Sequence, residues 1–393
     1  MDRRDFLKLS ALIPFAGVPG LVRAATDPAK RNLLILVELK GGNDGLNTVI
    51  PYADPRYAQL RPKLAIPRDQ VVKLSESAGL HPSLAPLKPV WDARELAVVQ
   101  GVGYPDPNLS HFRSIEIWET ASASDQYLEQ GWLARAFARS PCPATFAADG
   151  IVVGAGGMGP LAGRTSRSLA LASPEQFLRN ARFARRESVA TRNVSLAHIL
   201  RVENDVAASA QRLTAGHPFT TAFPAGPFGA ATGTAAQLAA NPAGVAVVRL
   251  SLGSFDTHAN QLGVHANLLR QLAEGLVAIR AALIEIDRWQ GTAIATYAEF
   301  GRRPRENESG GTDHGTSSAH LVLGGAVKGG LHGAAPALDR LDGNGNLAHA
   351  VDFRAYYATF LDRWWGIDAP SVLGGDFRPL DFLASRNDLK RSV

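Results

Sequence analysis

Two acid–histidine pairs stand in stretches of sequence that a hydrophobic core would not require. The stretch GGTDHG joins Asp313 to His314, and the stretch FDTH places Asp256 two residues before His258. Glycines let the backbone turn sharply and approach other groups closely. Carboxylate oxygens and imidazole nitrogens are ligands that divalent ions bind in proteins. The two pairs therefore predict a metal site.

Two further residues extend this set, because a hydrolytic site with two ions needs about six to eight O and N ligands. Asp44 follows the glycines of KGGN, and His332 lies in GGLHG. The predicted metal ligands are Asp44, Asp256, His258, Asp313, His314 and His332. We expect two divalent ions, with zinc, manganese, magnesium and calcium left open. Asp44 as a turn stabiliser and His332 as a loop histidine remain alternatives.

Ser110 is the candidate nucleophile. It follows the turn-rich loop GYPDPNL and precedes a predicted helix. The N–H groups of a helix N-terminus suit an anion such as phosphate or sulfate, and a serine hydroxyl beside a metal loses its proton more easily. The alternative is a plain helix cap. The residues predicted to contact substrate are Asn108, His111, Glu299 and Arg302.

The elements that must position these residues are apolar runs that alternate with amphipathic helices. The predicted strands cover 32–39, 95–102, 244–252, 291–297 and 320–327. The predicted helices cover 82–94, 110–118, 269–286 and 352–365. Alternation of this kind indicates an α/β fold, a mostly parallel central sheet with helices on both faces. Ligands bind such sheets outside the carboxyl ends of the strands, so we expect Asp44, Asp256, His258, Asp313 and His314 to converge there.

The first 24 of the 393 residues predict a targeting signal rather than a part of the folded domain. Arg3 and Arg4 begin a twin-arginine export signal, an apolar run follows, and a small-residue cleavage site precedes Ala25. We expect residues 1–24 to be the signal peptide and residues 25–393 one α/β domain. The predicted location is periplasmic or secreted, with the twin-arginine machinery as an export partner and no transmembrane segment in the mature chain.

Charge and cysteine content narrow the function classes. The formal net charge is +5, and the chain has no basic runs interleaved with aromatic residues, so nucleic acid is not a predicted partner. The single cysteine, Cys142, cannot form an internal disulfide. An exported protein of this kind must be stable without one, which fits folding before export.

Five motifs give the chain a family resemblance that covers nearly the whole mature sequence. They are KGGNDGLN, SHF, FDTHANQ, EFGR and GTDHG. At these motifs the chain resembles the exported family called domain of unknown function 1501, which is similar to the alkaline phosphatase and sulfatase-like superfamily. The resemblance implies an alkaline-phosphatase-like fold and a metal-dependent hydrolase of phosphate or sulfate esters. Its substrate would be a small-molecule or polysaccharide ester.

The resemblance also implies roles for individual residues. Ser110 resembles the nucleophile, and Asp44 resembles the metal acid of the first strand. Asp313 with His314 resembles the pair that shares an ion with them. Asp256 with His258 resembles the ligands of the other ion, and His332 the late histidine of that ion.

Two departures from the superfamily pattern leave alternatives open. The Asp256–His258 spacing is shorter than usual, and Glu299 holds the place directly after a strand that the acid–histidine pair usually holds. Glu299 is therefore an alternative metal ligand. The alternative function is a non-catalytic exported protein that binds metal or polysaccharide on a hydrolase-like fold.

Overall fold

The computed structural model of the protein describes residues 32–154, 156–181, 194–213 and 216–384. The predicted export signal lies outside these described residues. Among the helices of this part of the chain, none combines the length and apolarity that crossing a bilayer requires.

The strands of the described residues form one large sheet and one small sheet. In chain order they are β1 (Leu33–Leu39), β2 (Val49–Ile50), β3 (Val72–Lys73), β4 (Gly79–Leu80), β5 (Leu96–Gly103), β6 (Ala148–Val153), β7 (Ser168–Leu171), β8 (Val245–Leu252), β9 (Thr292–Tyr297), β10 (Ser318–Gly324), β11 (Gly330–His332) and β12 (Val351–Asp352). Within the described residues the large sheet has nine strands in the order β11-β5-β10-β9-β1-β8-β6-β7, with β12 on β5. The small sheet has the order β2-β4-β3.

The large sheet is mostly parallel, as predicted. β1 pairs in parallel with β8 and with β9, and β6 pairs in parallel with β8 and β7. β10 is the exception, because it runs antiparallel to both β9 and β5. The long connection from β9 to β10 therefore begins and ends at the same edge of the sheet. That connection carries the GTDHG motif.

Helices cover both faces of the sheet, which confirms the predicted α/β class. They are α1 (Gly45–Thr48), α2 (Pro55–Leu60), α3 (Lys88–Asp92), α4 (His111–Thr120), α5 (Trp132–Arg139), α6 (Pro174–Ala181), α7 (Val194–Arg212), α8 (Pro227–Ala239), α9 (Gln261–Glu285), α10 (Phe353–Thr359) and α11 (Ala369–Leu373). Two 3-10 helices cover Pro82–Leu87 and Gly159–Leu161, and a π-helix covers Phe360–Trp365.

The core consists of two layers because β1 is buried on both faces. Its odd-numbered leucine, isoleucine and valine side chains pack with α8 and α9, and its even-numbered leucines pack with α4, α5 and α10. The predicted apolar stripe of α9 is confirmed, since Leu269, Leu272, Leu276 and Leu283 are fully buried. The sheet is therefore held rigidly, and its strand ends are fixed supports for the loops.

Candidate metal centre

Four loops meet at the carboxyl edge of the large sheet. β1, β8 and β9 are adjacent and parallel, so their following loops leave the sheet side by side. β5 is antiparallel to β10, as β9 is, so the loop before α4 emerges at the same edge. The convergence predicted for the acid–histidine pairs depends on this edge.

Two glycines allow these loops to come close together. Gly41 has a φ of +115°, and a Cβ there would lie 2.5 Å from the backbone nitrogen of Asp256. A Cβ at Gly311 would lie 2.3 Å from the carbonyl carbon of His258. Any larger residue at either position would push the loops apart.

The carboxylate of Asp256 lies at the centre of a group of three histidines. Its Oδ1 is 3.0 Å from Nε2 of His258 and 3.2 Å from Nε2 of His314. Its Oδ2 is 3.4 Å from Nε2 of His111. The Nε2 atoms of His258 and His314 are 3.0 Å apart. We call Asp256, His111, His258 and His314 the histidine cluster.

Each histidine of the cluster turns its other ring nitrogen toward an acceptor. Nδ1 of His314 lies 2.8 Å from the carbonyl oxygen of Leu109. Nδ1 of His111 lies 2.9 Å from Oε1 of Glu299, and Nδ1 of His258 lies 3.4 Å from Oδ1 of Asp313.

The outer acceptors prepare the rings to bind a metal ion. Carbonyl and ionised carboxylate oxygens only accept hydrogen bonds, so a ring that donates its Nδ1–H outward has Nε2 available as a ligand. The three Nε2 atoms lie on the inner side, next to Asp256. An outer acceptor that holds the ring in this way is what metal-binding histidines usually have.

The charge state of the cluster favours a cation. Burial would raise the pKa of Asp256, but the hydrogen bond and charge of Arg302 outweigh it and lower the pKa to about 2. Burial lowers the pKa of His314. At neutral pH the carboxylate is thus ionised and His314 is neutral, and in these states both can bind a cation.

These acceptors fit a divalent ion. Nitrogen and oxygen ligands of a tetrahedral ion, at about 2.0–2.2 Å from it, lie about 3.3–3.6 Å from one another. The four separations given above, 3.0 to 3.4 Å, are close to that range. Mixed imidazole and carboxylate ligands suit zinc and similar transition ions. In the part of the chain that the structure describes, His111, Asp256 and His314 form the one group of three metal-ligating side chains whose ligand atoms all lie close together, and His258 adjoins it.

Arg302 was predicted to contact substrate, and the structure places it inside the protein instead. Its guanidinium is fully buried and donates to Asp256 Oδ1 at 2.5 Å. It also donates to the backbone carbonyls of Gly41, Gly42, Phe255 and Thr312. The side chain is therefore engaged by the protein, and it positions Asp256 and three of the loops.

Glu299 was also predicted to contact substrate or a metal. Its Oε1 accepts from the backbone N–H of Gly41 at 2.8 Å and from the His111 ring. Its Oε2 is buried and has no hydrogen-bond partner among the described residues. The carboxylate lies behind His111 and orients that ring.

Asp44 lies outside the cluster, and Arg61 is the physical reason. The Asp44 carboxylate is fully buried and receives two hydrogen bonds from Arg61, at 2.6 and 3.0 Å. It also accepts from Gln261 and from the N–H groups of Leu46 and Asn47 at the start of α1. Burial would raise its pKa, but the Arg61 charge prevails and lowers it. The predicted metal ligand is thus a buried ion-pair partner that caps a helix.

Asp313 and His332 were also predicted as metal ligands, but neither belongs to the histidine cluster. Asp313 bonds to the outer nitrogen of His258 and, at 3.1 Å, to the amide of Asn307. His332 lies on β11, the edge strand, where its ring bonds to the carbonyl of Lys328 at 2.9 Å. Asp313 therefore orients a histidine of the cluster, and the described contacts of His332 do not involve the cluster.

Ser110 lies between two residues that reach the cluster. Leu109 binds the His314 ring through its carbonyl, and His111 contacts Asp256. Ser110 is exposed and is the N-cap residue of α4, yet its side chain makes no capping hydrogen bond. Asn108, predicted to contact substrate, accepts the backbone N–H of Ser110 at 2.9 Å and so shapes this turn.

A cavity of about 600 Å³ opens beside the cluster, between the sheet and α4. We call it the cleft. Asp256, His111, Glu299 and Lys40 line the end nearest the cluster. The Lys40 side chain has no hydrogen bond or ion pair to any described residue. Its backbone is fixed beside the Asp256 loop, because its carbonyl accepts the N–H of Phe255 at 3.1 Å.

Sequence reasoning missed the two partners of Asp44 and the role of His111. Arg61 comes from the turn after α2, seventeen residues beyond Asp44, and Gln261 is the first residue of α9. No local pattern marks either as a neighbour of Asp44. His111 had a usable signal, because it directly follows Ser110 at the start of a predicted helix and therefore points toward the same edge.

Residues 97–374 match the family described as protein of unknown function (DUF1501). The chain belongs to this family. Among curated proteins, none matches this DUF1501 chain.

The solved structures similar to this DUF1501 protein include a sulfatase, a zinc complex and an alkaline phosphatase. The sulfatase PsFucS1 from Pseudoalteromonas sp. is 10% identical, with a TM-score of 0.39, over 90% of this chain and 72% of that one. The C-terminal periplasmic domain of EcEptC from Escherichia coli, in complex with Zn, is 11% identical, with a TM-score of 0.33, over 75% and 73%. Alkaline phosphatase from the Antarctic bacterium TAB5 is 12% identical, with a TM-score of 0.33, over 77% and 94%.

A matched pair of histidine variants tests the cluster in this DUF1501 protein. His258→Ala removes one of the inward nitrogens, so we expect zinc affinity to fall by more than the 10–100-fold that loss of an outer partner costs. His332→Ala removes a histidine of the edge strand and should leave zinc affinity unchanged. Competition with a zinc-binding dye measures both. Equal affinities for the two variants would place the metal site elsewhere.

Proposed function

We propose that this DUF1501 protein is an exported metal-dependent hydrolase of phosphate or sulfate esters, with Ser110 as its nucleophile. The observation that supports the proposal most is the convergence of three imidazole nitrogens on one carboxylate, with one of these rings, His111, directly after Ser110 in the chain. The proposal includes the predicted twin-arginine export and a periplasmic or secreted location.

The cluster residues would hold the metal ion. His111, His258, His314 and Asp256 supply three nitrogens and a carboxylate, and Glu299, Leu109 and Asp313 hold the rings in place. When bound, a divalent ion polarises ester oxygens and lowers the pKa of a hydroxyl next to it.

Ser110 carries the chemical step in this proposal. Its Oγ gives up its proton and attacks phosphorus or sulfur in line, the bond to the alcohol oxygen breaks on the opposite side, and that oxygen takes up a proton. Water then attacks the serine ester, which releases phosphate or sulfate and restores the serine hydroxyl. Ser110 is exposed and its side chain makes no capping hydrogen bond. These features support the role, because a hydroxyl oxygen that accepted a capping hydrogen bond would be a poorer nucleophile.

Two features of the chain suit the charge of the ester group. The first N–H groups of α4, a helix of ten residues, carry the positive end of the helix dipole. Lys40 lines the cleft, and its side chain has no hydrogen bond or ion pair to a described residue. In this proposal Lys40 takes the substrate-contacting role that was predicted for Arg302.

The test combines metal analysis with an ester panel on one sample of the folded protein. We expect at least one transition-metal ion per chain, and turnover of 4-nitrophenyl phosphate or 4-nitrophenyl sulfate. EDTA should abolish the turnover, and the same metal should restore it. A protein without metal would contradict the proposal. Bound metal with no turnover of either ester would favour the non-catalytic metal- or polysaccharide-binding alternative.

A further inference from the structure

The cleft extends well beyond the cluster, along α4. Glu119 lines its far end and lies eight residues after His111 on the same helix. Eight helical residues span about 12 Å. A phosphate or sulfate group occupies only the near end, so the cleft has room for much of the alcohol part of an ester.

At the far end of the cleft one arginine meets two glutamates, and the net charge of these three side chains is zero or slightly negative. Arg249 on β8 pairs with Glu38 at 2.8 Å and with Glu119 at 3.1 Å. It also donates to the hydroxyl of Tyr297 and to the carbonyl of Gly157, each at 2.8 Å. The guanidinium is therefore largely satisfied by the protein.

Both glutamates line the cleft, and Arg249 engages one carboxyl oxygen of each. Arg249 contacts Oε2 of Glu38 and Oε1 of Glu119. The second oxygen of each has no hydrogen-bond partner among the described residues. Ser251 and Ser254 add hydroxyl groups to the lining, while Ile115, Val152 and Val153 add apolar surface. This lining combines hydrogen-bond acceptors with apolar patches.

We propose that the far end of the cleft binds a polyhydroxylated, uncharged ring, such as a monosaccharide, that carries the ester group. Ring hydroxyls donate to the open oxygens of Glu38 and Glu119, and the C–H faces of the ring pack on Ile115 and Val152. Phe112, which lines the cleft one residue after His111 and is 89% exposed, adds an aromatic face nearer the cluster. The ester at the cluster rests on the proposed function, whereas the ring site rests on the cleft alone.

Other alcohol groups fit this lining less well. A nucleotide or another polyanion would meet the carboxylates of Glu38, Glu119 and Glu299, with Lys40 and Arg249 as the cations. A long alkyl chain would remove the open carboxylate oxygens from water without giving them a hydrogen bond, which is costly. A hydroxyl-rich ring satisfies the carboxylates and covers the apolar patches at once.

Saturation-transfer NMR with methyl β-D-galactoside and methyl α-D-glucoside tests the ring site on the full mature protein. We expect saturation transfer to at least one glycoside from the wild type. Glu119→Gln, which replaces one acceptor oxygen of the carboxyl group with an amide NH₂ group, should raise the dissociation constant about tenfold. Glu116→Gln is the matched control, because Glu116 lies on the same helix, pairs with Arg113 and does not line the cleft. It should bind as the wild type does.

A second variant covers the case in which Glu119→Gln fails to fold. Ser251→Trp fills the cleft from an exposed strand position without a change of charge, and should abolish the NMR signal. No saturation transfer from the wild type, or wild-type binding by folded Ser251→Trp, overturns the inference. Glycoside binding without any ester turnover keeps the ring site and contradicts the hydrolase. Turnover of nitrophenyl esters without glycoside binding keeps the hydrolase and contradicts the ring site.

Discussion

Ser110→Ala is expected to lower ester turnover by about 10³-fold or more, while the protein keeps its metal and its fold. The reason is that the side chain of Ser110 makes no capping hydrogen bond in the structure, although its backbone is the N-cap of α4. A serine that worked only as a cap would cost about 1 kcal/mol of stability and leave turnover intact. Initial rates, metal content and Tm of the same preparation separate the two cases.

Ser371→Ala is the matched control for this variant. Ser371 is an exposed serine in the first turn of α11, and its hydroxyl bonds to the carbonyl of Asp368. We expect its removal to leave turnover unchanged. If Ser110→Ala and Ser371→Ala gave the same turnover, Ser110 would not be the nucleophile.

Arg61→Met is expected to destabilise the protein by about 3–5 kcal/mol, because it leaves the buried carboxylate of Asp44 without its partner. Arg61 is fully buried and makes two of the hydrogen bonds that Asp44 accepts. Urea unfolding measures the loss. The double variant Arg61→Met/Asp44→Asn should recover part of it, since the unpaired charge is gone.

The exposed pair of Arg270 and Glu274 on α9 provides the control. Its side chains are 53% and 38% exposed, so Arg270→Met should change the free energy of unfolding by no more than about 0.5 kcal/mol. A loss of that small size for Arg61→Met would mean that Asp44 is not held by Arg61.

The loss of stability in Arg61→Met should depend on pH. In the wild type the pKa of Asp44 is lowered on folding, so its stabilisation is present above the unfolded value of about 3.9 and is lost as pH falls through the folded value. In Arg61→Met burial alone would raise the folded pKa, so acid would relieve the penalty. The stability gap between the two proteins should therefore narrow as pH falls from 7 toward 4.

The meeting of the two acid–histidine pairs could be predicted from the sequence. Asp256 and His258 follow a continuous apolar run, and His314 lies beyond another, so the parallel-sheet rule placed them at one edge. The strands that carry them, β8 and β9, both lie next to β1, as the rule requires. Periodicity also predicted α9, whose apolar stripe is long enough to be unambiguous.

The division of roles inside the site could not be predicted, because it depends on side chains from distant parts of the chain. Asp44 and Asp256 both follow strands and look equivalent in sequence. Arg61 occupies one carboxylate in the interior, whereas Arg302 leaves the other half-exposed among the histidines. Spacing cannot show which arginine reaches which acid. The antiparallel direction of β10 was also not predicted, because the direction of a strand depends on distant strands with which it pairs.

The carbonyl contacts of Arg302 bear on the order in which the protein is assembled. One buried guanidinium ties the loops after β1, β8 and β9 together through Gly41, Phe255 and Thr312. The histidines are thus aligned by the folded chain itself, so an ion that arrives later need not order them. In the proposed function, metal uptake would be a binding event that follows folding, unlike that of small zinc domains, whose folding depends on the ion. On the proposed twin-arginine route the protein would leave the cytoplasm already folded, and its centre could be loaded on either side of the membrane.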